Sequence, residues 1–320
     1  MPQPASSSVH AHRLSSHPAR LAEWWAAVRR IRTAYRAKHE RPLRLLAPRR
    51  YTEKIQWRKA FDMNPLFGIL SDKLAVRDYI RSRVGEEFVV PMLWSGGPTA
   101  RIPFDDFEPP YVVKSSHASG HVAIVNDHRD VKVRELTKRT AKWMSQTYGV
   151  RTDEPGYVPV PPRLMVERML HGPSGGRPDE RRMFVFDGKV AVINTVFIED
   201  GQVRNGAFHT PDWKQLDWYF SRRVDREFAR PERLDDMIRV AEELGRGLDH
   251  VRIDFYDCGD RIHVGEMTLY SWGGHARFNP DEADLLLGAH WKLRRPVRRA
   301  IRAVLLDRRR VRRELAAAAG

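Results

Sequence analysis

A single cysteine, Cys258, stands in 320 residues, which rules out an intrachain disulfide and suits a reducing cytoplasm. Long apolar runs are missing too. The longest nearly apolar stretch, Val190 to Ile198, is broken by Asn194 and Thr195 and falls far short of the roughly 20 residues that cross a bilayer as a helix. Met1 to Arg20 holds Pro, Ser and His but no apolar segment of the secretory kind. The chain also contains no G-x-x-x-x-G-K-[ST], no G-x-G-x-x-G after a strand, no H-E-x-x-H, no paired C-x-x-C and no G-x-S-x-G. Walker and Rossmann nucleotide sites, zinc proteolysis, zinc ribbons and nucleophile-elbow hydrolysis are thereby disfavoured.

What is present is 42% hydrophobic and 10% aromatic residues, enough core for one large domain or two modest ones and too much for a disordered chain. The formal charge of +15 is unevenly spread. Residues 1–50 hold 11 basic and 2 acidic residues, residues 289–320 hold the same numbers, and residues 51–288 hold 34 basic against 37 acidic. A slightly acidic body with basic ends argues against a nucleic-acid groove across the fold. Residues 1–18 are expected to be disordered. Leu21, Trp24, Trp25, Val28, Ile31 and Tyr35 then recur at helical spacing among arginines, as do Val297, Ile301, Val304, Leu305, Val311 and Leu315. Each basic helix either packs on the body or lies on an anionic membrane surface at its cytoplasmic side.

Within the body, Thr52 is expected to cap a helix over Glu53 to Phe61, broken by Asn64-Pro65, and a second helix is expected over Leu66 to Arg83, ending at Gly85. Phe88 to Leu93 favours β structure. Tyr111–Lys114, Arg163–Met169, Arg182–Phe186, Lys189–Phe197, Val251–Tyr256 and Arg261–Met267 read as strands, with helices at Arg134–Thr147 and Leu234–Leu248. Asp187-Gly188 and Asp257 to Asp260 each mark a hairpin. The expected class is α+β with mixed or antiparallel sheets. Pro155 to Pro162, Gly172 to Asp179 and Gly201 to His209 read as loops.

Three segments carry chemistry. In the hairpin Val251-Arg-Ile-Asp-Phe-Tyr and Ile262-His-Val-Gly-Glu-Met-Thr, alternation puts Arg252 with Asp254 and Glu266 with Thr268. Such neighbouring carboxylates either hold a hard cation such as Mg²⁺ together with phosphate oxygens or form a cross-strand ion pair with arginine. Tyr111-Val-Val-Lys-Ser-Ser-His-Ala-Ser-Gly-His runs a strand ending in Lys114 into a loop of small residues, where backbone N–H groups can approach phosphate. Leu164-Met-Val-Glu-Arg-Met-Leu places Glu167 in an apolar frame. A carboxylate there needs donors, either a nucleotide ribose or a salt bridge to Arg168 or Arg182.

In chain order, Glu53-Lys-Ile-Gln-Trp, Asp72-Lys-Leu-Ala-Val-Arg-Asp-Tyr-Ile, Val113-Lys-Ser-Ser-His-Ala-Ser-Gly, Arg182-Met-Phe-Val-Phe-Asp-Gly-Lys and Val251-Arg-Ile-Asp-Phe-Tyr with Gly265-Glu-Met-Thr-Leu-Tyr resemble the TupA-like ATP-grasp family over roughly residues 51–288. The resemblance implies two α+β subdomains clasping ATP between antiparallel sheets, flanked by the basic ends 1–50 and 289–320. It implies Lys73 and Lys114 as nucleotide-binding lysines, with Ser115, Ser116, Ser119 and Gly120 in the phosphate loop. Glu167 then matches the acidic residue near the ribose, with Val166, Met169 and Leu170 around the adenine. Asp254 and Glu266 match magnesium carboxylates, with Thr268 where many relatives carry Asn. Arg252 is placed beside the transferring phosphoryl group, and His117, His121 and His275 become candidates for phosphate contact or for deprotonating an amine.

The activity so implied is an ATP- and Mg²⁺-dependent carboxylate–amine ligase acting through an acyl phosphate on a cell-surface glycopolymer or its precursor. An ATP-grasp kinase acting on a sugar hydroxyl is the alternative, since fold does not fix the acceptor. A nucleic-acid or membrane-binding module working through its basic ends is a third reading.

Overall fold

A computed structural model describes residues 18–97, 101–127, 133–220 and 222–293. The expected disorder of residues 1–18 falls almost wholly outside them. So does the C-terminal basic helix.

Helix α1 (Pro18–His39) is followed by α2 (Tyr51–Phe61), α3 (Leu66–Ser71) and α4 (Ala75–Val84). The chain then enters β1 (Met92–Gly96), β2 (Tyr111–Ser115), β3 (Val122–Val125), α5 (Val133–Met144), α6 (Tyr148–Arg151) and β4 (Leu164–Arg168). After these come β5 (Asp179–Phe186), β6 (Lys189–Glu199), β7 (Gln202–His209), β8 (Gln215–Leu216), α7 (Leu234–Gly245), β9 (His250–Asp257), β10 (Ile262–Thr268) and α8 (Glu282–His290). Two antiparallel sheets result, one ordered β1-β4-β2-β3 and the other β10-β9-β5-β6-β7-β8. The α+β expectation holds. No described helix is long and apolar enough to cross a membrane.

The apolar stripe of α1 is spent on the body. Val28, Ile31 and Tyr35 are buried with Leu43, Leu45, Trp57 and Ala60, and the Trp24 indole donates to the Ala60 carbonyl at 2.7 Å. Burial of this kind gains about 25 cal/mol per Å² of apolar surface, so of the two expectations for the N-terminal basic helix the structure shows packing.

Several local expectations are corrected. Helix α2 begins at Tyr51, and Thr52 is no cap: its hydroxyl donates to Asp284 at 2.6 Å, while Glu53 accepts the backbone N–H groups of Arg49 and Arg50. The single helix expected over Leu66 to Arg83 is two. Asp72 turns extended and its carboxylate accepts the Leu74 N–H at 2.9 Å, an Asx turn that competes with helix propagation. Gly201 to His209 is mostly strand β7, because Asp200 and Gly201 both adopt positive φ, 51° and 71°, as the two central residues of a primed hairpin turn must. Asp187-Gly188, at 47° and 75°, makes the same turn.

On the face of the larger sheet packed against α7, His209 stacks on Trp213 with ring centroids 4.0 Å apart. Burial, reinforced by Arg181, pushes the imidazole down to about 4. An unfolded histidine titrates near 6.5. Below that pH the unfolded chain therefore binds a proton that the folded one refuses, and stability contributed by His209 is lost as pH falls from about 6.5 towards 4. The stability difference between wild type and His209→Gln is expected to shrink by about 2 kcal/mol between pH 7 and pH 5. Urea denaturation at both pH values checks this; a pH-independent difference would refute it.

Candidate active site

The two sheets face one another across a narrow cleft closed at one end by α3 and α4. Lys114 and Glu167 come from the smaller sheet, Gly265 and Glu266 from β10 of the larger one, and Lys73 and Arg77 from the helical end. Alternation explains the selection. Lys114 pairs with Met165 and Val112 with Glu167 in the ladder between β2 and β4, so these four share the cleft face, and Tyr111, Val113, Leu164 and Val166 fill the core behind it. Val166, expected at the adenine, therefore points away from the cleft. Met165 and Val112 are the apolar neighbours on the correct side, as period-two alternation about Glu167 could have indicated.

Glu167 is bound neither to Arg168 nor to Arg182. It accepts from Lys114 Nζ at 2.6 Å and from Arg77 at 3.2 Å. Burial pulls the Lys114 ammonium down, but Glu167, with Tyr256 and Glu266 further off, outweighs it and raises the group. Lys73 Nζ donates to the Ala118 carbonyl at 2.6 Å and lies 3.6 Å from Glu266, while its backbone N–H donates to Ser116 at 3.0 Å. One lysine thus ties the loop after β2 to the carboxylate of β10.

That loop is internally fastened. The Ser115 hydroxyl meets His121 Nδ1 at 2.8 Å, Ser116 donates to the Pro161 carbonyl at 3.2 Å, and Ser119 bonds Tyr148. Gly120 adopts φ 76°, a backbone that a Cβ would disfavour. His117 Nε2 meets the Trp143 carbonyl at 3.1 Å, and burial lowers its pKa. It and His121, which stacks on Trp143, buttress the loop without lining the cleft. Met169 and Leu170, expected around the adenine, follow directly on β4 and are not among the residues lining this cleft; the Met169 N–H donates to the Pro110 carbonyl at 3.4 Å. His275 sits elsewhere, on a separate cavity.

On the larger sheet, register sets Glu266 opposite Asp254 and Thr268 opposite Arg252. Arg252 grips Asp254 with two bonds of 2.7 and 2.6 Å and also donates to the Thr268 hydroxyl at 3.1 Å. Both members of the pair are buried. Burial pushes Asp254 up against the pull of Arg252 and Arg182. At Glu266 the burial penalty is overcome by Lys73, Arg252, Arg182 and Lys114, which together hold it below the usual carboxylate range. The four polar groups expected to converge here do so.

Arg182, expected as a partner of Glu167, instead joins Asp254, and Trp272, for which the sequence indicated no role, joins it there. Arg182 Nε stands 3.7 Å from Asp254, and Arg252 lies over the Trp272 ring at 4.7 Å. The ladder position of Arg182 opposite Asp254 was hidden until strand order was known.

Among the described residues no group of three or more His, Cys, Asp or Glu could hold a metal unaided. Asp254, Glu266 and Thr268 nonetheless offer hard oxygens on adjacent strands, and Mg²⁺ commonly takes one or two carboxylates with phosphate oxygens completing its shell. The donors fit that ion beside a nucleotide.

Lys114 and Glu167 thus stand on one wall of the cleft, Glu266 on the other and Lys73 at its closed end, between two antiparallel sheets. The chain belongs to the TupA-like ATP-grasp family, whose model matches residues 53–292. Among solved structures it is similar to a D-alanine–D-alanine ligase from Bacillus anthracis, with 17% identity, 78% of this chain and 72% of that one covered, and a TM-score of 0.44. It is also similar to the ATP-grasp ligase PsnB complexed with a minimal precursor, with 15% identity, coverage of 74% and 67%, and a TM-score of 0.39. No curated protein matches it.

Proposed function

We propose that residues 51–288 form an ATP-dependent carboxylate–amine ligase that works through an acyl phosphate, in the cytoplasm, on a precursor of a cell-surface polysaccharide or other glycopolymer. The observation that carries this is that Lys73, Lys114 and Glu266 line one cleft, with Glu266 opposite Asp254, which Arg252 and Arg182 flank. Phosphoryl transfer needs such positioning and charge more than a protein nucleophile.

Lys114 and Lys73 bind the polyphosphate, and Glu167 holds Lys114 in place while receiving the ribose. Asp254, Glu266 and Thr268 would hold Mg²⁺, which would supply positive charge to offset that of the phosphates. A carboxylate oxygen of the acid attacks the γ-phosphorus, and the bond to the β-phosphate oxygen breaks with its electron pair leaving on ADP. Arg252 and Arg182 face the charge that develops. The amine nitrogen then attacks the acyl carbon, the carbon–oxygen bond to phosphate breaks, orthophosphate departs and the amine loses a proton. The loop Ser115 to His121 shields the acyl phosphate from water. The basic stretch 289–320 supplies any contact with anionic lipid at the inner membrane face.

Hydroxylamine supplied with ATP, Mg²⁺ and pooled acids is expected to yield hydroxamate together with ADP and orthophosphate, read by mass spectrometry. A phosphorylated hydroxyl acceptor without orthophosphate would instead establish the kinase and overturn the ligase.

A further inference from the structure

A buried ion pair outside the cleft takes no part in the proposed chemistry. Lys59 of α2 and Glu154, in the chain between α6 and β4, are each 5% exposed, their Nζ and Oε1 atoms stand 3.4 Å apart, and Lys59 also donates to the Thr152 carbonyl at 3.2 Å. Burial pushes the Glu154 carboxyl up to about 7 against the pull of Lys59, and burial draws the Lys59 ammonium down against the pull of Glu154. Such a pair contributes little net stability compared with apolar side chains of similar volume. What it does supply is a fixed, directional tie, and both ends of the active site are fastened to it.

On one side stands the phosphate loop. Ser119 bonds the Tyr148 hydroxyl, the Tyr148 ring meets that of Tyr157 at 4.9 Å, and the Gly149 carbonyl accepts the Glu154 N–H at 2.9 Å. This segment is closed tightly on itself, since a Cβ on Gly149 would stand 2.7 Å from the Val158 nitrogen. A displacement of Tyr148 is therefore carried to Glu154. On the other side stands the turn Ser271–Gly274, in which the Trp272 ring lies 4.7 Å from the Arg252 guanidinium. Trp272, Gly273 and Gly274 hold φ of 50°, 62° and 73°, a run of left-handed backbone that persists only where its surroundings enforce it. Those surroundings are α2 and the ion pair. A Cβ on Gly273 would lie 3.4 Å from both Glu154 Oε1 and Lys59 Nζ, and the Gln56 amide donates to the Gly273 carbonyl at 2.9 Å.

We propose that Lys59 and Glu154 are positioning residues that couple the phosphate loop to the Trp272 turn, so that a nucleotide seated on the loop fixes the Arg252 guanidinium for phosphoryl transfer. The inference holds for a ligase or a kinase alike and rests only on the assignment of the loop to the polyphosphate. Its route is a continuous chain of packed and hydrogen-bonded groups, which is how two separated sites come to share free energy. Placement matters at the Arg252 end, because an error of about 1 Å can cost about a hundredfold in rate.

Hydrogen exchange of the full chain, read at single residues by mass spectrometry with and without saturating ADP in metal-free buffer, tests the coupling. ADP lacks the γ-phosphoryl group assigned to Arg252, so its effect on the turn arrives through the loop. The amides of Gly273 and His275, bonded to the Tyr270 and Trp272 carbonyls at 2.7 and 3.0 Å, report on the turn, and that of Ser115, bonded to the His121 carbonyl at 3.3 Å, reports on the loop. In the wild type all three are expected to slow at least about threefold. The double variant Lys59→Met with Glu154→Gln, which keeps side-chain size and strands no charge, should keep the slowing at Ser115 and lose it at Gly273 and His275, with ADP affinity within about threefold of the wild type. Should that protein misfold, Tyr148→Phe removes a single hydroxyl from the same route and should diminish the response of the turn. An undiminished turn response in either folded variant, or a wild type whose loop responds without its turn, would overturn the coupling alone. No response at Ser115 in the wild type would overturn it together with the nucleotide reading of the loop.

Discussion

Glu266→Gln and Lys114→Ala are each expected to lower ATP turnover by at least about a thousandfold, which corresponds to roughly 4 kcal/mol of transition-state stabilisation, while leaving the fold intact. Glutamine keeps the size of Glu266 but removes the charge that faces Lys73 at 3.6 Å, and with it the anionic oxygen available to a magnesium ion. Removing the Lys114 ammonium takes away the proposed phosphate contact. Glu167 is not stranded, because Arg77 remains at 3.2 Å, so the uncompensated buried charge that unfolds many such variants is avoided. Initial-rate measurement of ADP release, alongside circular dichroism and thermal melting, checks both statements. Near-wild-type ATP consumption by a folded variant would remove that residue from the site.

Arg252→Met should act on stability as well as on chemistry. It leaves Asp254, 6% exposed, without its two short hydrogen bonds and with only Arg182 at 3.7 Å. Breaking one side of a buried ion pair costs about 3–5 kcal/mol. Adding Asp254→Asn removes the stranded charge, so the double variant should regain most of that loss, while turnover is expected to remain abolished in both because the cation proposed to face the phosphoryl group is gone. Denaturant titration of the two proteins beside ADP release separates the effects. A double variant that recovers activity with stability would make Arg252 a structural residue only.

These expectations depend on which facts are local. Strand identity was legible in Val251 to Tyr256 and in Ile262 to Thr268 because alternation and the turn residues between them are contained in a short window. The convergence of Arg252, Asp254, Glu266 and Thr268 was legible for the same reason, since a hairpin brings its two strands together by itself. Asp200-Gly201 carried as clear a hairpin signal as Asp187-Gly188, and β7 could have been read from it. The division between α3 and α4 at Asp72 was harder to read, because an Asx turn inside helix-favouring sequence is chosen partly by its tertiary partners, here Arg163 at 2.7 Å and the Ser116 carbonyl.

By itself the sequence determined the α+β class, the apolar strands, the basic ends and the short list of charged residues in apolar frames, all properties of neighbouring residues. Tertiary structure decided their pairing. Glu167 meets Lys114 and Arg77, which are 53 and 90 residues away in the chain, Arg182 joins Asp254 only because β5 lies beside β9, and Trp272 reaches both arginines from a loop. It also decided which side of β4 faces the cleft, turning Val166 inward and Met165 toward the site. The physical reason is that burying a charge demands a partner, and which partner is within reach depends on strand order across a sheet, a long-range property that composition, periodicity and spacing do not carry.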